Sequence, residues 1–162
     1  MKTIIIYYSL EGNCALVADF LKSSLDAETL EIKTLKDKKR SKAGTFLWGL
    51  SQMFFNKNPD LKPFEFNANS WDLIILGTPV WGGGPAPAIR SFLSKVDIRG
   101  KKVALFCCHA GGMGMIIETL KSLLYGNTFI GEIDFNKPAK ADSDELKQKI
   151  EEWVKTFQVT HE

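Results

Sequence analysis

Several features are scarce in this chain of 162 residues, and each scarcity excludes a class of protein. The three cysteines, Cys14, Cys107 and Cys108, include no Cys-x-x-Cys motif, which argues against a disulfide framework. No His, Cys and Asp residues have the spacing of metal ligands. No apolar run approaches the ~20 residues needed to span a bilayer. A strand pattern begins directly after Met1, so we expect no targeting peptide and a cytoplasmic location.

The chain also lacks a large excess of positive or negative charge. The chain has 21 Lys and Arg against 19 Asp and Glu, a net charge of +2, which does not by itself indicate a nucleic-acid partner. Hydrophobic residues make up 44% and charged residues 25%, as is usual for globular proteins. The length suits one domain over residues 1–162, with a full apolar core.

Apolar runs alternate with helical patterns along the whole chain. Buried strands are predicted at 3–8, 72–77 and 102–108, and half-exposed edge strands at 28–33 and 128–135. Helices are predicted at 13–25, from Pro85 or Pro87 to Val96, at 115–124 and after Asp142-Ser143-Asp144. Five strands alternating with helices predict an α/β fold, a doubly wound parallel sheet with helices on both faces.

Residues 34–66 fit this scheme least well, above all the basic and aromatic segment 36–57. A basic stretch, 36–42, precedes an apolar and aromatic one, 46–55. The plain interpretation is a crossover helix with its aromatic side packed on the sheet. The alternatives are a partner or substrate surface beside the site, or an amphipathic segment at a membrane surface.

The residues that indicate a ligand-binding site follow the ends of predicted strands. The first strand runs into Ser9-Leu10-Glu11-Gly12-Asn13-Cys14, where a helix starts at once. The first amides of a helix have no internal partner, and the helix dipole adds positive charge there. A turn of small residues lets a phosphate approach those amides, so this segment predicts a phosphate cradle.

A second strand ends in Thr78-Pro79-Val80-Trp81-Gly82-Gly83-Gly84, with one large aromatic residue among glycines. Ligands of open parallel sheets bind at the carboxyl ends of the strands. A phosphate cradle at one strand end and an indole at another indicate a ligand with a phosphate tail and a flat ring system. Trp81 as an ordinary core residue is the alternative.

Other motifs of phosphate chemistry are missing. No Gly-Lys-Ser/Thr follows the first turn, as a nucleotide triphosphatase would require. The glycines of 111–114 do not follow the first strand, as a dinucleotide fingerprint would. Tyr7, Tyr8 and Ser9 stand where a signalling receiver needs acidic residues, and Phe20 stands where a Cys-x5-Arg phosphatase needs arginine.

Together these segments resemble the flavodoxin-like, FMN-binding family, in its short-chain form. Ser9 to Cys14 resembles the phosphate loop, Thr78 to Gly83 the first flavin-flanking loop, and Cys108 to Gly114 takes the place of the second. The resemblance implies a sheet order of 2-1-3-4-5 and FMN as the cofactor. The positions it assigns to cofactor binding are Ser9, Leu10, Glu11, Gly12, Asn13, Cys14, Thr78, Pro79, Val80, Trp81, Gly82, Gly83, Cys108, His109, Ala110, Gly111, Gly112 and Gly114.

The resemblance also implies roles. Ser9 and the amides of Glu11 to Ala15 would hold the phosphate, Asn13 would brace the loop, and Trp81 would stack on the isoalloxazine. Backbone groups of 78–83 and 109–112 would edge the ring. His109 is either a passive loop residue or a polar contact of the flavin, even a proton donor. Cys108 is expected to be structural rather than redox-active.

Two positions depart from the family pattern. Glu11 stands where a hydroxyl residue is usual, so its side chain should point away from a phosphate. Cys14 replaces a threonine and donates only weakly, which predicts weaker FMN binding. The slightly basic charge also differs from the acidic balance of electron-carrying flavodoxins.

The resemblance leaves two functions open. One is an electron carrier that serves redox partner proteins. The other is an NAD(P)H-dependent reductase of quinones or other small acceptors, which would need an open flavin face. We expect no nucleic-acid partner and no membrane span, and either a monomer or a homodimer.

Overall fold

The computed structural model describes residues 1–36 and 58–158. The strands in these residues are β1 (Thr3–Tyr7), β2 (Glu28–Glu31), β3 (Leu73–Trp81), β4 (Gly84–Pro85), β5 (Lys102–His109) and β6 (Thr128–Asn136). The helices are α1 (Asn13–Leu25), α2 (Pro87–Lys95), α3 (Ile116–Leu123) and α4 (Ser143–Gln158). Short 3-10 turns occupy Ala68–Ser70 and Pro138–Lys140. The predicted helix at 13–25 is therefore confirmed to the residue, and the other elements agree within a few residues.

Five strands form a parallel sheet in the order β2-β1-β3-β5-β6. With the very short β4 set aside, this is the expected order 2-1-3-4-5. The sequence pattern did not predict β4, which pairs antiparallel with the end of β3 and so forms a hairpin. The parallel arrangement places the carboxyl ends of β1, β3 and β5 side by side at one edge of the sheet.

The sheet is covered on both faces, as expected. One core combines α1 and α4 with alternate strand residues such as Ile5 and Ile75. The other combines α2 and α3 with the intervening residues, such as Ile6 and Leu76. Burial on both faces explains the continuous apolar runs, because side chains of a strand point alternately to either side.

Two glycines in the strands make room for aromatic rings. A Cβ on Gly77 would lie 2.0 Å from Phe106, its neighbour in register on β5. A Cβ on Gly131 would lie 2.5 Å from Phe157 of α4. Any side chain at these two positions would displace a packed ring, and overpacking of this kind is destabilising.

Residues 33–35 lie antiparallel to residues 60–62. Leu35 donates a backbone hydrogen bond to Asp60 (2.9 Å), and Lys62 donates one to Lys33 (2.7 Å). This short antiparallel contact lies beyond β2, because Ile32 still bonds to Tyr7 of β1. The expected crossover helix and its aromatic stretch, 46–55, lie outside the described residues.

Candidate functional site

The phosphate loop, residues 9–14, joins β1 to α1. Gly12 caps the helix with a φ of +89°, a conformation that glycine adopts without strain. The Ser9 hydroxyl oxygen accepts a hydrogen bond from the Ala15 amide at 3.1 Å. Within the described chain, the amides of Gly12, Asn13 and Cys14 have no acceptor, as at most helix starts. The loop therefore presents unpaired donors at the positive end of the helix dipole.

The side chains of Asn13 and Cys14 leave the mouth of the phosphate loop. Asn13 Oδ1 accepts a hydrogen bond from the Ala139 amide at 3.1 Å, which ties the loop to residues 137–141 after β6. We call residues 137–141 the brace turn. Cys14 is buried in the α1–α4 core, where burial and contact with the Cys108 thiol raise its pKa well above the usual value. Only the Cys14 amide can serve a ligand in the loop.

The other side chains of the phosphate loop divide between solvent and core. Glu11 is exposed, and Leu10 packs against the α2–α3 core. The exposed Glu11 carboxylate can lie away from an anion while its amide stays in the loop. Lys137 and Lys140, on the brace turn, are also exposed.

The tryptophan hairpin, residues 80–85, consists of the end of β3, two glycines and β4. Val80 pairs with Pro85 and Trp81 with Gly84, and the two intervening glycines have positive φ angles, +59° at Gly82 and +77° at Gly83. Positive φ at both central residues is the requirement of a type I′ turn, which explains why glycines follow the indole. The hairpin thus holds Trp81 at the end of β3, just past the sheet.

Buried contacts fix this hairpin. The fully buried Thr78 hydroxyl donates to the Pro79 carbonyl (2.9 Å) and accepts from the Ala86 amide (3.0 Å). The half-buried indole of Trp81 meets the ring of Tyr8 edge-on, with centroids 5.8 Å apart at 84°. Trp81 thus packs against Tyr8, the residue that follows β1, and keeps part of its surface exposed.

The glycine loop, residues 109–114, follows β5 and touches the tryptophan hairpin. The Met115 amide donates to the Gly83 carbonyl at 3.1 Å, and Gly114 lies against Gly83. Ala110, Gly111 and Gly112 are exposed. Cys108, on β5 just before this loop, is buried beside Cys14, so its side chain belongs to the core, as expected of a structural cysteine.

His109 anchors the glycine loop through both ring nitrogens. Its Nδ1 accepts a hydrogen bond from the Gly112 amide at 3.1 Å, and its Nε2 lies 2.8 Å from Asp134 Oδ2. Its carbonyl accepts from the Lys137 amide at 2.8 Å. The imidazole is therefore engaged with the protein, which does not favour the expectation of a proton donor.

The fold thus brings the three predicted segments to one edge of the sheet. It removes the side chains of Cys14, Thr78 and Cys108 from that edge, so these residues can offer only backbone groups. Sequence reasoning missed the brace turn and Asp134. The Asn-Lys-Pro sequence after β6 marks a turn, but no local pattern indicates that it meets residues 13 and 109.

Space for a ligand is open at two of these segments. A Cβ placed on Gly12, Gly111 or Gly112 would meet no atom within 4 Å. Unpaired amides after β1 and a half-exposed indole at the end of the neighbouring β3 fit a phosphate and a flat ring. Among residues 1–36 and 58–158, no group of three or more His, Cys, Asp or Glu side chains could hold a metal ion.

Comparison with known proteins defines the class. The sequence matches the family described as NADPH-dependent FMN reductase over residues 1–152. The chain belongs to this family, and the expectation of a flavodoxin-like, FMN-binding flavoprotein is confirmed. No curated protein matches the sequence significantly.

Solved structures agree on the fold. A flavoprotein from Lactobacillus acidophilus NCFM, determined in complex with FMN, is 26% identical, with a TM-score of 0.72 over 94% of this chain and 98% of that one. A WrbA-like flavodoxin from Agrobacterium tumefaciens is 15% identical, with a TM-score of 0.65 over 98% and 96%. Two-electron reduced Megasphaera elsdenii flavodoxin is 21% identical, with a TM-score of 0.62 over 95% and 99%.

In the described parts of the chain, no helix combines the length and the apolar character needed to cross a membrane.

Proposed function

We propose that the phosphate loop, the tryptophan hairpin and the glycine loop together bind FMN and that the protein uses it to transfer electrons. A single observation carries this assignment. Amides without an acceptor at the start of α1 and the half-exposed indole of Trp81 lie at the same edge of the sheet. FMN supplies the one- and two-electron redox chemistry, and the protein supplies binding, orientation and electrostatics.

The phosphate loop is assigned the FMN phosphate. The donors are the Ser9 hydroxyl and the amides from Glu11 to Cys14. The Ala15 amide already bonds to Ser9 Oγ, so it orients that hydroxyl rather than the ligand. Because the oxygen accepts from Ala15, the hydroxyl proton remains available to donate to a phosphate oxygen. Because the donors are neutral, the helix dipole provides the favourable field for the anion.

The ring is assigned to the space beside Trp81, with backbone groups of residues 78–83 and 108–114 along its edges. Tyr8 holds the indole edge-on, so little side-chain entropy remains to be lost when a ring stacks on it. Contact between Gly83 and Gly114 joins the two ring-side loops into one wall. A wall that is already ordered binds more tightly than one that must form on binding.

A titration with FMN and riboflavin tests this assignment. Both flavins share the ring, but only FMN carries a phosphate, so we expect FMN to bind more tightly. Flavin fluorescence quenching on addition of the apoprotein gives both dissociation constants. Equal constants would show that residues 9–15 do not hold a phosphate, and absence of binding by either flavin would refute the site altogether.

The family match favours a second candidate, an NADPH-dependent reductase that uses the same FMN. The acceptor would then be a small molecule such as a quinone instead of a redox partner protein. Anaerobic mixing of the FMN-loaded protein with NADPH separates the two functions. Rapid bleaching of the flavin absorbance indicates the reductase, whereas a flavin that stays oxidised until a reduced partner protein is added indicates the carrier.

A further inference from the structure

We propose that His109 is a positioning residue: its imidazole, held as the neutral Nε2–H form between Asp134 and Gly112, sets the shape of the glycine loop and thereby the affinity for the flavin ring. This inference rests on the FMN site proposed above. It assigns a function to Asp134, which lies on β6 and outside the three binding segments.

The hydrogen bonds define the proton on the ring. The Gly112 amide is a donor, so Nδ1 must accept and carries no proton. The proton of the neutral ring is therefore on Nε2, which donates to Asp134 Oδ2 at 2.8 Å. The His109 side chain is 10% exposed, against 41% for Asp134. A hydrogen bond to a charged acceptor at a largely buried ring is stronger than one between neutral groups in water.

The glycine loop needs such an anchor. Gly112 has a φ of +139° and Gly114 a φ of +56°, and three of the residues from 110 to 114 are glycines. Glycine loses more conformational freedom than any other residue when it is ordered. In the described chain, the bond that the Gly112 amide donates to His109 Nδ1 is the one hydrogen bond between residues 110–114 and a side chain. Loss of this bond should leave the loop to sample other shapes.

Asp134 has fixed surroundings of its own. The Lys149 ammonium of α4 donates to the Asp134 carbonyl at 2.7 Å and lies 4.9 Å from the centroid of the Phe135 ring. Three residues further on, the Lys137 amide bonds to the His109 carbonyl. The imidazole therefore bonds to a strand end that is itself held by α4, and the glycine loop takes its position from β6.

The brace turn extends this frame to the phosphate loop. Lys137 bonds to His109, and Ala139 donates to Asn13 Oδ1. The strand end after β6 thus touches both the phosphate loop and the glycine loop. His109 itself, however, reaches only the ring side, so its loss should affect FMN and riboflavin alike.

The test compares two changes at Asp134. Asp134→Asn keeps an oxygen that accepts from Nε2–H, whereas Asp134→Ala removes the acceptor. We expect Asp134→Ala to raise the dissociation constants of FMN and riboflavin by a similar factor, about 3- to 10-fold. Asp134→Asn should remain within about twofold of the unchanged protein, since a neutral hydrogen bond persists.

Asp97→Ala is the matched control. Asp97 pairs with Arg99 at the same 2.8 Å, but it is exposed and follows α2 at the opposite edge of the sheet. Exposed ion pairs contribute little to stability, and this one touches no part of the site. Its removal should leave both dissociation constants unchanged. Far-UV circular dichroism of each variant verifies that the fold is retained.

A direct measurement on the unmutated protein needs no variant to fold. The chain has two histidines, His109 and His161, so the ¹⁵N spectrum of its imidazoles is simple. A pyridine-like Nδ1 and a pyrrole-like Nε2 for His109 are expected. The opposite pattern, or a folded Asp134→Ala protein with unchanged riboflavin affinity, would overturn the proposal. Failure of the unmutated protein to bind either flavin would refute the FMN site and leave the tautomer result standing.

Discussion

Gly114 lies so close to Gly83 that a Cβ on Gly114 would be 2.5 Å from the Gly83 Cα and 2.8 Å from its carbonyl oxygen. The obstructing atoms are backbone, so neither loop can yield by a change of rotamer. The glycine loop and the tryptophan hairpin therefore hold each other in place, and their contact depends on the absence of one methyl group.

The first prediction concerns this contact. Gly114→Ala should push the two loops apart and weaken FMN and riboflavin binding, both by about 5- to 10-fold, the scale of one lost contact. Gly100→Ala is the matched control, because Gly100 has a similar φ, +65° against +56°, but open space around it. Each variant should lose ~1–2 kcal/mol of stability from the left-handed backbone. Equal flavin affinity in the two variants would contradict the prediction.

The second prediction concerns the indole. Trp81→Ala should weaken binding of FMN and of riboflavin by about 1–3 kcal/mol, by analogy with the stacking of bases on aromatic side chains. Trp81→Phe should retain much of this energy, because a phenyl ring still offers a π-face. Fluorescence titration gives the constants. An alanine variant that binds both flavins as the original does would place Trp81 away from the ring.

The third prediction separates two residues of the phosphate loop. Ser9→Ala removes a hydroxyl that we assign to the phosphate, at a cost of about 1.5–3 kcal/mol in FMN affinity, with riboflavin affinity unchanged. Cys14→Ala removes a thiol that lies in the core. It should lower the free energy of unfolding and leave the preference for FMN over riboflavin intact. Loss of that preference in Cys14→Ala would show that the thiol serves the ligand.

The fourth prediction concerns alkaline pH. Burial raises the pKa of the Cys107 thiol from 9.0 to about 12, and that of the Tyr7 hydroxyl from 10.0 to about 12. The folded protein therefore keeps protons that the unfolded chain releases. The contribution of these groups to the free energy of unfolding is fully present below about pH 9 and is lost as the pH rises toward about 12. Urea denaturation in reductant at several alkaline pH values measures this slope.

A variant identifies the thiol's share of that slope. Cys107→Ala removes one of these groups, while Tyr7 and Cys14, whose pKa burial also raises, remain; its free energy of unfolding should therefore fall less steeply with pH than that of the original protein. The tyrosine remains and preserves part of the slope. Identical slopes in the two proteins would contradict the assignment of a raised pKa to Cys107.

The sequence by itself determined the order of the helices and the five parallel strands in the described residues, though not the short β4, and it determined the three segments at the strand ends. Apolar runs and helical spacing are local patterns, and the carboxyl ends of neighbouring parallel strands must share an edge. The same two patterns suffice to place Gly12 and Gly114 in loops, because each follows an apolar strand run, whereas Trp81, which the pattern placed past the strand, is the last residue of β3.

Only the tertiary structure decided where individual side chains lie. Cys14 faces Cys108, Asn13 bonds to Ala139 across 126 positions of sequence, and His109 pairs with Asp134 on the neighbouring strand. These partners depend on strand register and on how loops from distant segments meet. No periodicity within the chain carries that information, because each contact is set by packing between elements rather than by the pattern within one.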